Sequence, residues 1–190
     1  MRNSCAPSYS PKTKEEMVSS FMYNVIPEYK SLTREQVIAA VAARTLDYAV
    51  CMQNFSGEFN IATFIRNANA FGARHIYYMG QRKIDRRGCQ GTHIYKDITW
   101  LEDEDQLEAL KSEYRFVSVD NLPGSKSIAT YEFKPKTLFI FGSEGEGILP
   151  SVSAMCEDMI YIPQRGSVPS LNVASASAIV MHYAEINLSK

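Results

Sequence analysis

Side chains that could take part in chemistry are concentrated in three segments of the chain, residues 60–72, 138–150 and 162–179. The first carries an arginine within an apolar helical pattern, the second a glutamate between glycines, and the third a serine and an asparagine around a leucine. A guanidinium binds phosphate and hydroxyl groups, and glycines let a backbone approach a ligand closely. These residue types indicate sites of polar ligand binding.

The glycines do not match the common nucleotide-binding motifs. Gly142, Gly145 and Gly147 have the spacing GxxGxG, not the GxGxxG of dinucleotide-binding proteins. The sequence PGSKS at 123–127 lacks the adjacent glycine and lysine, and the earlier glycine, of a phosphate-binding loop. A dehydrogenase and a nucleoside triphosphatase are therefore disfavoured.

The cysteines and histidines form no metal-binding pattern. The cysteines have no CxxC spacing, and the histidines lie far apart without carboxylates at ligand spacing. We therefore expect no metal site, and scattered thiols suit a reducing cytoplasm. The residues concerned are Cys5, Cys51, Cys89, Cys156, His75, His93 and His182.

Strands and helices alternate along the chain, which places the three segments at strand ends. Such alternation predicts an α/β fold, a mainly parallel sheet flanked by helices. Ligands of these sheets bind at the carboxyl ends of the strands. The predicted strands are 48–55, 75–79, 115–119, 137–141 and 159–162, and the predicted helices are 33–44, 60–71, 105–114, a short one ending at 156, and 170–186.

Length and composition bound the architecture. With 190 residues, 45% hydrophobic and 22% charged, the chain is predicted to fold as a single α/β domain over residues 46–190. Residues 1–45 are predicted to form a basic N-terminal arm, rich in Ser, Pro and Lys over 1–14, followed by a helix. No apolar run reaches the roughly 18 residues of a membrane span, and the first residues lack the apolar core of a signal peptide. We therefore expect a cytoplasmic protein.

The net charge of −1 hides an asymmetry. Taken alone, it argues against a nucleic-acid partner. Residues 1–100, however, carry 13 basic and 8 acidic side chains, while residues 101–190 carry 7 and 13. Residues 81–96 hold five basic groups against one acidic group, whereas 102–108 hold five carboxylates and no basic group. A nucleic acid would therefore be expected on the first half of the chain.

Taken in order, the three segments resemble the motifs of the SPOUT superfamily of RNA methyltransferases, in particular its SpoU/TrmH-like branch, which methylates ribose 2′-hydroxyl groups. The resemblance covers residues 46–187. The first motif, an Asn followed six residues later by an Arg, is matched by Asn60 and Arg66. The second and third are matched by Gly142, Glu144, Gly147, Ile162, Pro163, Gly166, Ser170, Leu171 and Asn172.

The chain departs from the family pattern at two places. Ala62 and Thr63 replace a usual Gly-Ala pair in the first motif, and Gln164 replaces a usual Met after Ile-Pro. Neither change removes a polar group that the chemistry needs. Gln164 could alter how the cofactor is held.

The resemblance implies an S-adenosylmethionine-dependent enzyme that methylates tRNA or rRNA. It also implies a C-terminal trefoil knot and a homodimer with RNA bound across both subunits. Pattern analysis would not propose a knot, because knots are nearly absent from protein folds. The small-residue run 173–178 suits a helix packed closely on neighbouring backbone.

Arg66 is the residue that the resemblance assigns to the proton of the 2′-hydroxyl, helped by an RNA phosphate. A free guanidinium has a pKa above about 12, so two versions stay open. Arg66 acts as the base, or it is a charged clamp on phosphate and hydroxyl while another group or water takes the proton. A solvent-facing helix arginine is the alternative without function.

The other catalytic candidates each have a structural alternative. Asn60 and Ser170 could simply cap helices, and Glu144 could be a solvated turn residue. Functionally, Asn60 is placed near the site by the resemblance, and Glu144 would orient Arg66 or contact RNA. Ser170 and Asn172 would anchor ribose or phosphate. The predicted cofactor-binding residues, acting through backbone groups, are Gly142, Ile162, Leu171 and, with less support, Val119.

Residues 81–96, the basic loop, follow a strand near the first motif. This loop is therefore predicted to bind RNA phosphates through Arg82, Lys83, Arg86 and Arg87. Such a loop is otherwise a solvated face. Two further functions stay open: a catalytically idle RNA-binding or assembly factor on the same fold, and a base methyltransferase of the same superfamily. The sequence does not indicate which RNA or nucleotide is modified, nor what residues 1–45 do.

Overall fold

The computed structural model describes residues 25–54, 60–143 and 145–190. The arm at 1–14 and Glu144 lie outside these residues. The helices are α1 (Arg34–Ala42), α2 (Asn60–Ala70), α3 (Glu104–Ala109), α4 (Pro150–Ala154) and α5 (Val173–Leu188). The strands are β1 (Leu46–Asn54), β2 (Ala73–Gly80), β3 (Ile98–Leu101), β4 (Arg115–Val119), β5 (Lys126–Ser127), β6 (Thr137–Phe141) and β7 (Asp158–Tyr161).

The seven strands form one parallel sheet in the order β3-β2-β1-β6-β4-β7-β5. From β1 the chain first builds toward β3 at one edge and then crosses to the other half of the sheet. The strand order therefore reverses between β1 and β6, and ligands of open α/β sheets bind at such a switch point. The predicted α/β fold with a mainly parallel sheet is confirmed.

Two apolar cores cover the two faces of the sheet. Alternate residues of β1 divide between them, with Val50 facing the α2 and α5 side and Cys51 facing the α3 and α4 side. On the first side Phe64 of α2 packs edge-on against Phe141 of β6, with ring centroids 5.4 Å apart. On the second side Leu107 and Val152 are fully buried. The helices thus flank the sheet on both sides.

Helix α1 begins where its sequence predicts. Thr33 accepts a hydrogen bond from the Gln36 N–H (3.3 Å), and the Gln36 side chain accepts one from the Thr33 N–H (2.8 Å). This reciprocal pair satisfies two backbone donors at the start of the helix.

Several predicted bounds were wrong. The helix predicted at 105–114 ends at Ala109 and continues as a 3-10 turn, and the helix predicted from 170 begins at Val173. The short edge strands β3 and β5 were not predicted. With only four residues in β3 and two in β5, they show little alternation of apolar and polar side chains, and it is their pairing with β2 and β7 that defines them. The last predicted residue of β1, Phe55, lies outside the described residues.

No helix among the described residues is long and apolar enough to cross a membrane. Within the same ranges no cluster of His, Cys, Asp and Glu side chains could hold a metal ion. The trefoil knot and the division of the chain at residues 45 and 46 stay predictions.

Candidate active site

A cleft of about 520 Å³ opens at the carboxyl ends of β4, β6 and β7. The last residues of these strands, Val119, Phe141 and Tyr161, form part of its wall. Its volume lies within the range of small-molecule sites. Six of the predicted site residues line it together: Val119, Gly142, Ile162, Ser170, Leu171 and Asn172.

The loop from Gly142 to Gly147, the glycine loop, forms one wall of the cleft. Ser143 and Gly147 exchange two backbone hydrogen bonds, of 2.9 and 3.0 Å. A Cβ atom at position 142 would lie only 2.1 Å from the carbonyl carbon of Gly147. Position 142 therefore requires glycine for the loop to fold back on the end of β6. Glu144, within this loop, lies outside the described residues.

Asn172 has two structural roles. Its side-chain oxygen accepts hydrogen bonds from the N–H groups of Ala174 (3.0 Å) and Ser175 (3.3 Å), which caps α5. Its side-chain nitrogen donates to Oδ1 of Asn60 (3.0 Å), which joins the first and third sequence motifs. The capping role expected for Ser170 therefore belongs to Asn172, because the helix starts three residues later than predicted. Ser170 is exposed and lines the cleft.

Asn60 is the first residue of α2, and its Oδ1 accepts the hydrogen bond from Asn172. A capping role for Asn60 stays a prediction. The contact brings two predicted catalytic residues, 112 positions apart in sequence, to the carboxyl edge of the sheet.

Arg66 lies on the exposed side of α2, opposite the buried stripe Ile61, Phe64, Ile65 and Ala68. It is not among the residues that line the cleft. Its helix packs on the 3-10 turn Arg86–Cys89, where a Cβ atom at Gly88 would lie 2.7 Å from Cβ of Ala62. Burial raises the pKa of the Cys89 thiol in this turn; the charges of Arg86 and Arg66 oppose that shift, and Asp85 adds to it.

The basic loop packs directly on α2. A Cβ atom at Gly88 would lie 2.7 Å from Cβ of Ala62, so glycine allows the close approach. All four predicted RNA-binding side chains are exposed. The four residues are Arg82, Lys83, Arg86 and Arg87.

The basic side chains of this loop differ in their partners. The Arg82 guanidinium lies 4.9 Å from the centroid of the Trp100 ring, a cation–π distance. Arg87 forms hydrogen bonds with both oxygens of Asp85, which lowers the pKa of that carboxyl to about 2. Lys96 donates to the carbonyl of Ala73 at the opposite end of the strands, and burial lowers its pKa to about 8. Lys96 is therefore separate from the exposed basic side chains of this loop.

Two residues that were not predicted as part of the site hold the cleft together, Asp120 and Asn121 at the end of β4. Oδ2 of Asp120 accepts from the N–H of Ile148 (3.2 Å), after the glycine loop. Nδ2 of Asn121 donates to the carbonyl of Pro169 (2.6 Å), before the third motif. Their position directly after a strand was the available clue, but their partners lie far along the chain.

Asn67 was missed as well. Its amide nitrogen donates to the Ala174 carbonyl (2.9 Å) and to Oγ of Ser177 (3.1 Å), fixing α2 against α5. Ala174 and Ser177 are buried at this contact, as the small-residue run predicts. The motif residues of the two helices are thereby held in a fixed relation.

Comparison with known proteins agrees with this arrangement. The family model described as "SpoU rRNA Methylase family" matches residues 47–182. A tRNA (guanosine(18)-2′-O)-methyltransferase of Aquifex aeolicus is 26% identical over 148 residues, which cover 75% of this chain and 70% of that protein.

Two solved structures show the same fold. The A. aeolicus TrmH/SpoU tRNA modifying enzyme superposes with a TM-score of 0.71, at 23% identity over 81% of both chains. An AdoMet-bound rRNA methyltransferase from Sinorhizobium meliloti superposes with a TM-score of 0.68, at 24% identity, covering 78% of this chain and 60% of that one. Since the family model spans well over half of the sequence, the chain belongs to the SpoU rRNA methylase family, and the resemblance inferred from its motifs is confirmed.

Proposed function

We propose that the protein transfers a methyl group from S-adenosylmethionine to a ribose 2′-hydroxyl of tRNA or rRNA. One observation carries this proposal: the cleft at the strand ends gathers six motif residues of a 2′-O-methylase family, and Asn172 links it to the helix that carries Arg66. The relatives of the chain include both tRNA and rRNA methyltransferases.

The residues of the cleft fit S-adenosylmethionine. Apolar walls from Phe141, Ile162 and Leu171 suit an adenine ring, and the glycine loop offers backbone groups at close range. When bound, this cofactor supplies a methyl group on a positively charged sulfur. The side chains of Ser170 and Asn172 line the same space and are suited to orient a ribose or phosphate beside it.

Arg66 is the residue that we assign to the reacting hydroxyl. Its exposed position beside the basic loop supports contact with an RNA phosphate, which positions the nucleotide for in-line transfer. This role has two versions. In one, Arg66 accepts the proton; in the other, it clamps phosphate and hydroxyl as a cation. Glu144 would orient Arg66 or contact RNA.

The basic loop is assigned to RNA phosphates. The Arg82 guanidinium lies over the Trp100 ring, and Lys83 and Arg86 are exposed beside it. Phosphate contacts of this kind position an RNA without selecting a sequence. Selection of the substrate then depends on other parts of the chain.

A homodimer is part of the proposal. Leu122, Val168 and Leu171 expose large apolar side chains on the loops around the cleft. A second copy of the chain that covered them would bury apolar surface at the mouth of the site. This second copy would also offer its Arg66 to the cleft of the first copy, whose own Arg66 does not line it.

A cytoplasmic location is also part of the proposal. The free thiols of Cys51, Cys89 and Cys156 suit the reducing cytoplasm where such RNAs occur.

The test is to incubate the protein with labelled S-adenosylmethionine and with tRNA and rRNA fractions from a strain that lacks it. Digestion of the product RNA to nucleosides is expected to give a 2′-O-methylated nucleoside, and mapping would identify its position. Arg66→Ala is the matched control and is expected to transfer no label. A methyl group on the base would indicate a base methyltransferase, and absence of cofactor binding in calorimetry would indicate an idle RNA-binding factor.

A further inference from the structure

The charges that line the cleft have one sign. Among its described lining residues, Asp120 and Glu146 are the charged ones, and no lysine or arginine is present. An acidic lining in a site of this size favours a cation.

Asp120 is held firmly in the wall of the cleft. Its Oδ1 accepts from the Asn121 N–H (2.8 Å) and its Oδ2 from the Ile148 N–H (3.2 Å). A Cβ atom at Gly147 would lie 2.9 Å from the same Oδ2, so the carboxylate lies directly against the glycine loop. Asp120 is partly buried, whereas Glu146 is exposed. The Asp120 charge is therefore less screened by solvent.

We propose that Asp120 makes the cleft selective for the positively charged cofactor over its uncharged product. This inference rests on the proposed function. S-adenosylmethionine carries a sulfonium, an ammonium and a carboxylate, for a net charge of +1. S-adenosylhomocysteine has a thioether in place of the sulfonium and is neutral overall. A fixed carboxylate in the wall attracts the first more than the second, which favours exchange of product for fresh cofactor.

The experiment measures the affinities of both ligands by calorimetry for the wild-type protein and for Asp120→Asn. The ratio of the two dissociation constants is the readout. A change in cleft shape weakens the binding of both ligands, whereas a change in charge weakens the binding of S-adenosylmethionine alone. Asp120→Asn is expected to reduce the preference for S-adenosylmethionine over S-adenosylhomocysteine by about three- to tenfold. Sinefungin, which carries an amine in place of the methylated sulfonium, is expected to lose affinity together with S-adenosylmethionine.

Asn121→Ala is the matched control, because it removes the hydrogen bond to Pro169 and leaves the charge of the cleft unchanged. The ratio is expected to stay at its wild-type value in this variant, even where both affinities fall. In the wild type, the preference should also decrease as salt is raised from about 50 mM to about 1 M, since salt screens the attraction.

An unchanged ratio in Asp120→Asn would overturn the inference and leave the proposed function standing. If the wild-type protein bound neither ligand, the proposed function itself would fail. The two failures are therefore distinguishable within one set of titrations.

Discussion

At the scale of single residues, the site depends on side chains that serve structure and chemistry together. Asn172 caps α5 with its oxygen and contacts Asn60 with its nitrogen, so one amide sets both the start of a helix and the junction of two motifs. An asparagine suits this position because its two ends can accept and donate at once. Loss of either bond is expected to have a separable effect.

Asn172→Ser separates the two roles. Serine caps helices about as well as asparagine, so the free energy of unfolding should change by less than about 0.5 kcal/mol. Its shorter side chain cannot reach Asn60, so the rate of single-turnover methyl transfer should fall. Asn172→Ala should lose the cap as well and destabilise the protein by about 1 kcal/mol. Thermal unfolding and single-turnover rates of both variants check this, and full activity of Asn172→Ser would show that the contact with Asn60 is dispensable.

At the scale of elements, the glycine loop and the loop before α5 form the cleft, but they tolerate side chains differently. Both contain a glycine that belongs to a sequence motif, Gly142 and Gly166. A Cβ atom at position 142 would overlap the backbone of Gly147, whereas position 166 has open space around it. Sequence motifs alone do not distinguish these two glycines.

Gly142→Ala is therefore expected to open the loop and weaken the binding of S-adenosylmethionine by more than about tenfold, because a 2.1 Å approach forces the backbone to move. Gly166→Ala is the matched control and should bind the cofactor within about twofold of wild type, since its Cβ atom would meet no neighbour within 4 Å. Calorimetry measures both affinities. Equal losses in the two variants would contradict a steric origin.

The basic loop allows a prediction about RNA. Arg87 is already paired with Asp85, whereas no ion pair of Arg86 is found within the described residues. Arg86→Ala should therefore reduce the affinity for RNA and the steepness of its salt dependence more than Arg87→Ala does. Lys134→Ala, a basic residue far from this loop, is the control and should change neither. Binding titrations at several salt concentrations check this, and an unchanged salt slope in the Arg86/Arg87 double variant would show that RNA binds elsewhere.

The sequence predicted the elements that carry strong patterns and missed those defined by pairing. Helix α2 and the central strands follow from apolar periodicity and run length. The edge strands β3 and β5, by contrast, depend on β2 and β7. The motif residues of the cleft were identified, but Asp120, Asn121 and Asn67 act through contacts with residues 28 to 110 positions away. A single sequence does not show such contacts.

Across the molecule, the acidic segment 102–108 and the basic loop lie on opposite faces of the sheet. The acidic residues 102–108 lie at and before α3, whose Leu107 packs into the core on one side. The basic loop and Arg66 lie with α2 on the other side, where Cys89 and Ala62 are buried together. The net charge of −1 is therefore compatible with an RNA-binding face.

Arg66 does not line the cleft of its own chain, so we expect a second copy to supply it. Heterodimers that combine Arg66→Ala in one subunit with Gly142→Ala in the other test this expectation. If the site is shared, one of the two sites in each heterodimer holds an intact Arg66 and an intact cleft, and about half of the wild-type activity returns. If each subunit is self-sufficient, both sites carry one defect and the heterodimer stays inactive. Two affinity tags allow the heterodimer to be purified, and each homodimeric variant, assayed at a cofactor concentration at which Gly142→Ala binds little, is the baseline.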